Sequence, residues 1–128
     1  MDTMKYYREK LLDHYHHPRN AGQIDSPDFS SEEYNHSCGD LVHIEGRIKD
    51  GTITDIVFLG SGCVVSQAAA SMITEYGKGK SVDELLVLDK EFVLKLIGVD
   101  LGPTRLRCAL LPLYALQHGL KAYKKELD

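Results

Sequence analysis

Residues 40–59, DLVHIEGRIKDGTITDIVFL, decide the fold of this chain. Apolar residues at Val42, Ile44 and Ile48 alternate with polar ones, which is the period of a half-buried strand. Asp50-Gly51 follows, and then a run rich in β-branched side chains. An Asp-Gly pair between two such runs is a strong hairpin signal, because both central residues of a type I′ turn have positive φ. The sequence therefore predicts an antiparallel hairpin, although the second run does not show which of its faces is buried.

A helix is predicted directly after the hairpin. Gly60-Ser61-Gly62-Cys63 bends the chain into residues 64–76, which are mostly good helix formers. Gly77 is a plausible position for the end of this helix. Ser81 and Glu84 then match a capping box and open a short helix, which the apolar residues after Asp89 either extend or restart.

The carboxyl-terminal part is predicted to be one long helix, because leucines recur every three or four positions over residues 106–127. Pro112 falls inside this pattern, so a kink or a later helix start is expected there. Before the hairpin, an amphipathic helix should end ahead of Pro18, and residues 19–31 show no period and are predicted as loop. The order of elements predicts an α+β fold, a small antiparallel sheet packed by helices, in a single domain over residues 1–128.

Composition excludes several classes of protein. The chain has 128 residues, a formal net charge of −4 and 27% charged residues. No apolar run approaches the roughly 18 residues of a membrane span, and the first residues lack the apolar core of a secretory signal. Nucleic acid is an unexpected partner, because phosphate binding needs clustered lysine and arginine. We therefore expect a cytoplasmic protein with neither a membrane nor a nucleic acid as its partner.

The three cysteines are the main functional signal. An odd number does not suit a disulfide framework, and a reducing cytosol would keep the thiols free. Cys38, Cys63 and Cys108 are too far apart in sequence for a zinc-finger or ferredoxin motif. Each cysteine lies at or near the end of a predicted helix or strand. Cys63 and Cys108 lie near helix starts, and Arg107 is expected to favour the Cys108 thiolate.

Other interpretations of these residues stay open at this point. Each cysteine is as consistent with a buried structural residue as with a ligand. Asp40, which could add an oxygen ligand, is also typical of a turn residue that bonds its own backbone. A cysteine hydrolase, in which the thiolate of Cys63 or Cys108 pairs with a histidine, is an alternative class. It requires one indispensable cysteine, not three.

Several segments in order resemble a known family. They are Asp13-His14-Tyr15 with residues 17–22, Cys38-Gly39-Asp40, Gly60-Ser61-Gly62-Cys63, and Leu101-Gly102-Pro103 leading to Cys108. Together they resemble the scaffold proteins of iron-sulfur cluster assembly, the IscU and NifU N-terminal family. The resemblance implies a scaffold, not an enzyme, that receives sulfur from a cysteine desulfurase, assembles a [2Fe-2S] cluster with iron and passes it to recipient apo-proteins.

The resemblance also implies a site. Cys38, Asp40, Cys63 and Cys108 would hold the cluster, and Cys108 would be the candidate persulfide acceptor. Many family members have histidine where this chain has Arg107, which cannot bind a metal because its guanidinium stays protonated. The fourth ligand is then either Asp40 or a group from a second subunit in a homodimer. The alternative function is a zinc-binding, SufU-like sulfur acceptor that stimulates a desulfurase, although that branch carries an insertion for which this chain has little room.

Overall fold

The computed structural model describes residues 3–127 and confirms the α+β fold with its long carboxyl-terminal helix. Three strands form one antiparallel sheet in the order β1-β2-β3. In chain order the elements are α1 (Thr3–His16), β1 (Phe29–Asn35), β2 (Asp40–Lys49), β3 (Thr52–Ser61), α2 (Val64–Gly77), α3 (Val82–Leu86), α4 (Lys90–Ile97) and α5 (Pro103–Leu127).

The predicted hairpin joins β2 to β3. Asp50 and Gly51 have φ values of 52° and 76°, as a type I′ turn requires. The strand register shifts between Arg47, which pairs with Asp55, and Ile48, which pairs with Ile53. Thr54 is the extra residue of this β-bulge. The bulge shifts by one residue the alternation of side chains between the two faces of the sheet. As a result, Ile53, Ile56 and Phe58 are all buried on the same face.

The prediction of a loop over residues 19–31 is wrong for the last three residues, because β1 begins at Phe29. The strand is polar and lies at the sheet edge, where it pairs with β2 alone. Phe29 is its only fully buried side chain among alternating exposed and half-buried residues. A strand with so few apolar residues carries little period-two signal.

Helix boundaries follow the sequence signals closely. α1 ends at His16, before Pro18. The Ser81 hydroxyl accepts a hydrogen bond from Glu84 N at 3.1 Å, which confirms part of the capping box. The chain does not extend this helix but restarts at α4, where the Asp89 carboxylate accepts from Phe92 N at 3.0 Å.

α5 begins at Pro103 and continues through Pro112, so the later start allowed by the sequence does not occur. Pro103 suits the first turn of a helix, where its missing N–H is not needed. Pro112 has no N–H to donate to the carbonyl of Cys108, four residues earlier. Across residues 3–127, every helix is too short or too polar to span a lipid bilayer.

α2 and α5 provide most of the buried side chains that the helices contribute to the core. Ala68, Ala69 and Ala70 on α2 and Leu113 and Leu116 on α5 are almost completely buried. Small side chains on α2 let its backbone pack closely against the sheet and α5.

Candidate metal and sulfur site

Antiparallel pairing brings two of the cysteine segments together. Leu41, near the start of β2, pairs with Ser61, the last residue of β3. The turn before β2 and the bend after β3 therefore lie at the same end of the sheet. Cys38 and Asp40 come from the first segment and Cys63 from the second.

Asp40 is fully buried between these segments. Its Oδ1 accepts a hydrogen bond from Cys63 N at 2.8 Å, and the Cys63 thiol lies 3.7 Å from Oδ2. Gly62 has φ of 132°, and a Cβ there would lie 2.2 Å from Asp40 Oδ1. Only glycine at position 62 therefore leaves room for the carboxylate.

Cys63 is the N-cap of α2. Its Sγ accepts a hydrogen bond from Ser66 N at 3.4 Å, and its side chain is half-buried. An N-cap position places the sulfur at the positive end of the helix dipole, which favours negative charge there. The helix start predicted from the glycine bend is confirmed.

Cys108 completes the cluster of thiols from α5. Its Sγ lies 3.5 Å from Cys38 Sγ and 3.4 Å from the Thr104 carbonyl oxygen. The Asn35 side-chain amide lies 3.9 Å from the same sulfur. Cys108 is buried, whereas Cys38 is exposed. The two thiols thus differ in access to solvent although their sulfurs are neighbours.

The pKa of the Cys108 thiol is raised, first by burial and then by hydrogen bonds with Asp40, Cys38 and Cys63. Arg107 is exposed. The expectation that Arg107 favours the Cys108 thiolate is therefore wrong for the folded chain. A bound metal ion would act in the opposite direction, because a coordinating thiol is deprotonated outright.

The four predicted site residues converge at one place. Ligand atoms of Cys38, Asp40 and Cys108 all lie within 4.8 Å of one another, and Cys63 joins them through its contact with Asp40. Three sulfurs and one carboxylate suit zinc or iron, because thiolates select soft metals. Within residues 3–127 the hydrogen bonds of histidine rings go to Ser71, Ser30 and Glu33, so the cysteine–histidine pair of a cysteine hydrolase is not formed there.

An open cleft of about 480 Å³ leads to the three sulfurs. Tyr15, Thr104 and Arg105 line it together with Cys38, Cys63 and Cys108. Tyr15 lies in the last turn of α1 and is 37% exposed. Such a residue at the mouth of a cleft carries no sequence signal, because its neighbours come from distant segments.

Asn35 and His14 also have positions that sequence reasoning missed. Asn35 immediately precedes the cysteine turn, and its backbone carbonyl accepts from Gly39 N at 2.8 Å. His14 is buried, and its Nδ1 lies 2.7 Å from the Ser71 hydroxyl oxygen. Its position near two further histidines at a helix end gives no sequence signal that it is buried.

The chain belongs to the family described as the NifU-like N terminal domain, whose model matches residues 6–128. It is 36% identical over 117 residues to the iron-sulfur cluster assembly scaffold protein IscU 1 of Archaeoglobus fulgidus, covering 91% of this chain and 76% of that protein. It is 32% identical over 137 residues to the zinc-dependent sulfurtransferase SufU of Bacillus subtilis, covering 94% and 91%. The family expected from the motifs is confirmed.

A solved structure has the same fold. The protein from Fervidobacterium islandicum AW-1, described as a candidate iron-sulfur cluster assembly scaffold for the SUF system, superimposes with a TM-score of 0.76. The sequence identity is 26%, and the alignment covers 88% of this chain and 94% of that one. This chain is thus a homologue of both IscU-type and SufU-type assembly proteins.

Proposed function

We propose that this protein is a scaffold on which [2Fe-2S] clusters are assembled and from which they pass to recipient apo-proteins. One observation carries the proposal: ligand atoms of Cys38, Asp40 and Cys108 lie within 4.8 Å of one another, with Cys63 in contact with Asp40. The cluster is cargo, so the protein acts as a carrier and not as an enzyme on a small substrate. Three free thiols suit a cytoplasmic, reducing setting.

Sulfur would arrive from a cysteine desulfurase as a persulfide. Attack by the Cys108 sulfur on the terminal sulfur of that persulfide breaks one S–S bond and forms another. The desulfurase leaves as a thiol, and Cys108 carries the transferred sulfur. Burial and a raised pKa make Cys108 a slow nucleophile in the folded chain, so the acceptor role requires that the cleft opens or that metal binding removes its proton.

Asp40 would be the fourth ligand. Its carboxylate already lies among the thiols, which supports it over a group from a second subunit in a homodimer. A hard oxygen ligand holds iron less firmly than a fourth thiolate would. Such a site suits a protein that gives its cluster away, and a single domain over residues 1–128 contains the whole ligand set.

Anaerobic reconstitution tests this function. The protein is incubated with ferrous iron, a cysteine desulfurase, cysteine and a thiol reductant, which supplies the electrons that convert sulfane sulfur to sulfide. We expect the visible absorption of a [2Fe-2S] cluster, and we expect Cys38→Ser, Cys63→Ser and Cys108→Ser to lose it. Intact protein that never develops this absorption would refute the proposal.

A zinc-binding sulfur acceptor is the second candidate, and two observations favour it. A SufU relative described as zinc-dependent is 32% identical to this chain, and Arg107 stands where many scaffolds carry histidine. Zinc and iron-sulfur clusters share a preference for thiolates. Metal analysis of protein isolated without oxygen separates the two: stoichiometric zinc that iron and sulfide do not displace would favour the acceptor.

A further inference from the structure

A second, smaller groove of about 320 Å³ lies beside the cysteine cleft. Leu12 of α1, Val64 of α2 and Leu101 from the turn before α5 are among the apolar residues that line it. Leu12 is 46% exposed, so the groove presents a large apolar side chain to solvent.

This docking groove, defined by the three apolar residues with Arg8, Asp100 and Arg105, is continuous with the site. Arg105 and Val64 line both the groove and the cleft that holds the sulfurs. Val64 follows Cys63 directly in sequence. A molecule seated in the groove would therefore lie next to the thiols.

The charges around the groove are not compensated within the described chain. Arg19 pairs with Asp13 at 2.6 Å and Arg47 with Asp55 at 3.7 Å. Within residues 3–127, neither Arg8 nor Arg105 forms an ion pair, although the chain has a net charge of −4. Asp100 is the one carboxylate in the lining.

We infer that the groove docks a partner protein through an apolar side chain flanked by carboxylates. Charge complementarity with Arg8 and Arg105 selects the acidic flanks, and the exposed Leu12 offers the apolar contact. This inference rests on the proposed function in one respect, the task of the partner at the cleft, which is to deliver sulfur or to receive a cluster. Docking itself requires no cluster.

Peptide binding to the full chain tests the groove. The probe is a fluorescein-labelled peptide, Asp-Glu-Leu-Leu-Glu, compared with Asn-Gln-Leu-Leu-Gln and Asp-Glu-Ser-Ser-Glu by fluorescence anisotropy at low salt. We expect only the first peptide to bind well. Arg8→Ala and Arg105→Ala should each weaken its binding about two- to five-fold, the effect of one exposed ion pair. Asp100→Asn should strengthen it.

Arg47→Ala is the control, because Arg47 does not line the groove and its removal should leave binding unchanged. Equal binding of the three peptides, an equal loss in Arg47→Ala, or no binding at millimolar peptide would overturn the inference. Sedimentation of the protein alone provides another test: self-association that Arg8→Ala abolishes would make a second copy the occupant and overturn the partner assigned here.

Cluster assembly separates this inference from the proposed function. With iron and inorganic sulfide alone, Arg8→Ala should assemble as much cluster as the wild type, because no partner is needed. If the wild type binds the peptide but forms no cluster, the scaffold function is refuted and the docking inference stands. If the wild type forms a cluster but does not bind the peptide, only the docking inference is refuted.

Discussion

Asp40 Oδ1 accepts a hydrogen bond from Cys63 N over 2.8 Å, which ties one proposed ligand to the backbone of another. The first residue of β2 is thereby fixed to the bend between β3 and α2. A carboxylate has a second oxygen, and Oδ2 lies towards the Cys63 thiol at 3.7 Å. Asp40 can thus anchor the site through one oxygen and bind metal through the other, and the two roles can be tested separately.

Substitution of Asp40 should separate anchoring from metal binding. Asp40→Ala leaves the part-buried Cys63 N–H without its acceptor, at a cost of about 1 kcal/mol in the free energy of unfolding. Asp40→Asn keeps an acceptor oxygen and should cost less. Both variants should retain an assembled cluster longer than the wild type. Urea midpoints measure the first effect, and decay of the cluster absorption with an apo-protein acceptor measures the second. Faster cluster loss in Asp40→Asn would contradict the labilising role.

Gly62→Ala should damage the site more than the matched change Gly39→Ala. Both glycines have positive φ, 132° and 71°, so both substitutions carry backbone strain. This strain costs roughly 1–2 kcal/mol at a left-handed position such as Gly39. A Cβ at Gly39 meets nothing within 4 Å, whereas one at Gly62 would clash with Asp40. We expect zinc affinity, measured by chelator competition, to fall in Gly62→Ala alone. Equal losses in the two variants would show that backbone strain, and not displacement of Asp40, is responsible.

The three thiols should react with iodoacetamide in a fixed order. Cys38 is exposed, Cys63 is half-buried and Cys108 is buried with a raised pKa. Since the thiolate is the reactive form, metal-free protein should be modified first at Cys38 and last at Cys108. A time course followed by peptide mass spectrometry gives the order, and saturation with zinc should slow all three. Modification of Cys108 before Cys38 would show that the cleft opens readily in solution.

Local signals explain how much of the fold could be predicted. Asp50-Gly51 and Ser81 act on the backbone next to them, so sequence reasoning placed the hairpin and the Ser81 helix cap correctly. Thr54 forms a bulge that depends on strand register, and β1 owes its existence to pairing with β2. Neither leaves a clear periodic pattern. The buried face of β3 and the edge strand were therefore not predictable from period alone.

For the site, sequence selected Cys38, Asp40, Cys63 and Cys108, and the structure brings them together. The protonation of Cys108 was not predictable. Arg107 adjoins it in sequence, but burial and contacts from other segments determine its pKa. These contacts exist only after the sheet end and α5 have come together.

The lowered pKa of His14 predicts that the stability of the protein depends on pH. Its Nδ1 lies 2.7 Å from the Ser71 hydroxyl oxygen, and that oxygen accepts a hydrogen bond from Arg19 N at 2.9 Å. Burial, with a smaller effect from Arg19, lowers the pKa of His14 below its ordinary 6.5. At a pH near these pKa values the unfolded chain binds more protons than the folded chain. The contribution of neutral His14 to the free energy of unfolding is therefore complete above pH 6.5, and it is lost as the pH falls towards the pKa of His14 in the folded chain. Urea midpoints between about pH 5 and pH 7.5 should fall on acidification in the wild type and in the control His16→Gln, whose imidazole is exposed. His14→Gln should flatten this part of the profile, and an unchanged slope in that variant would exclude His14 as its source.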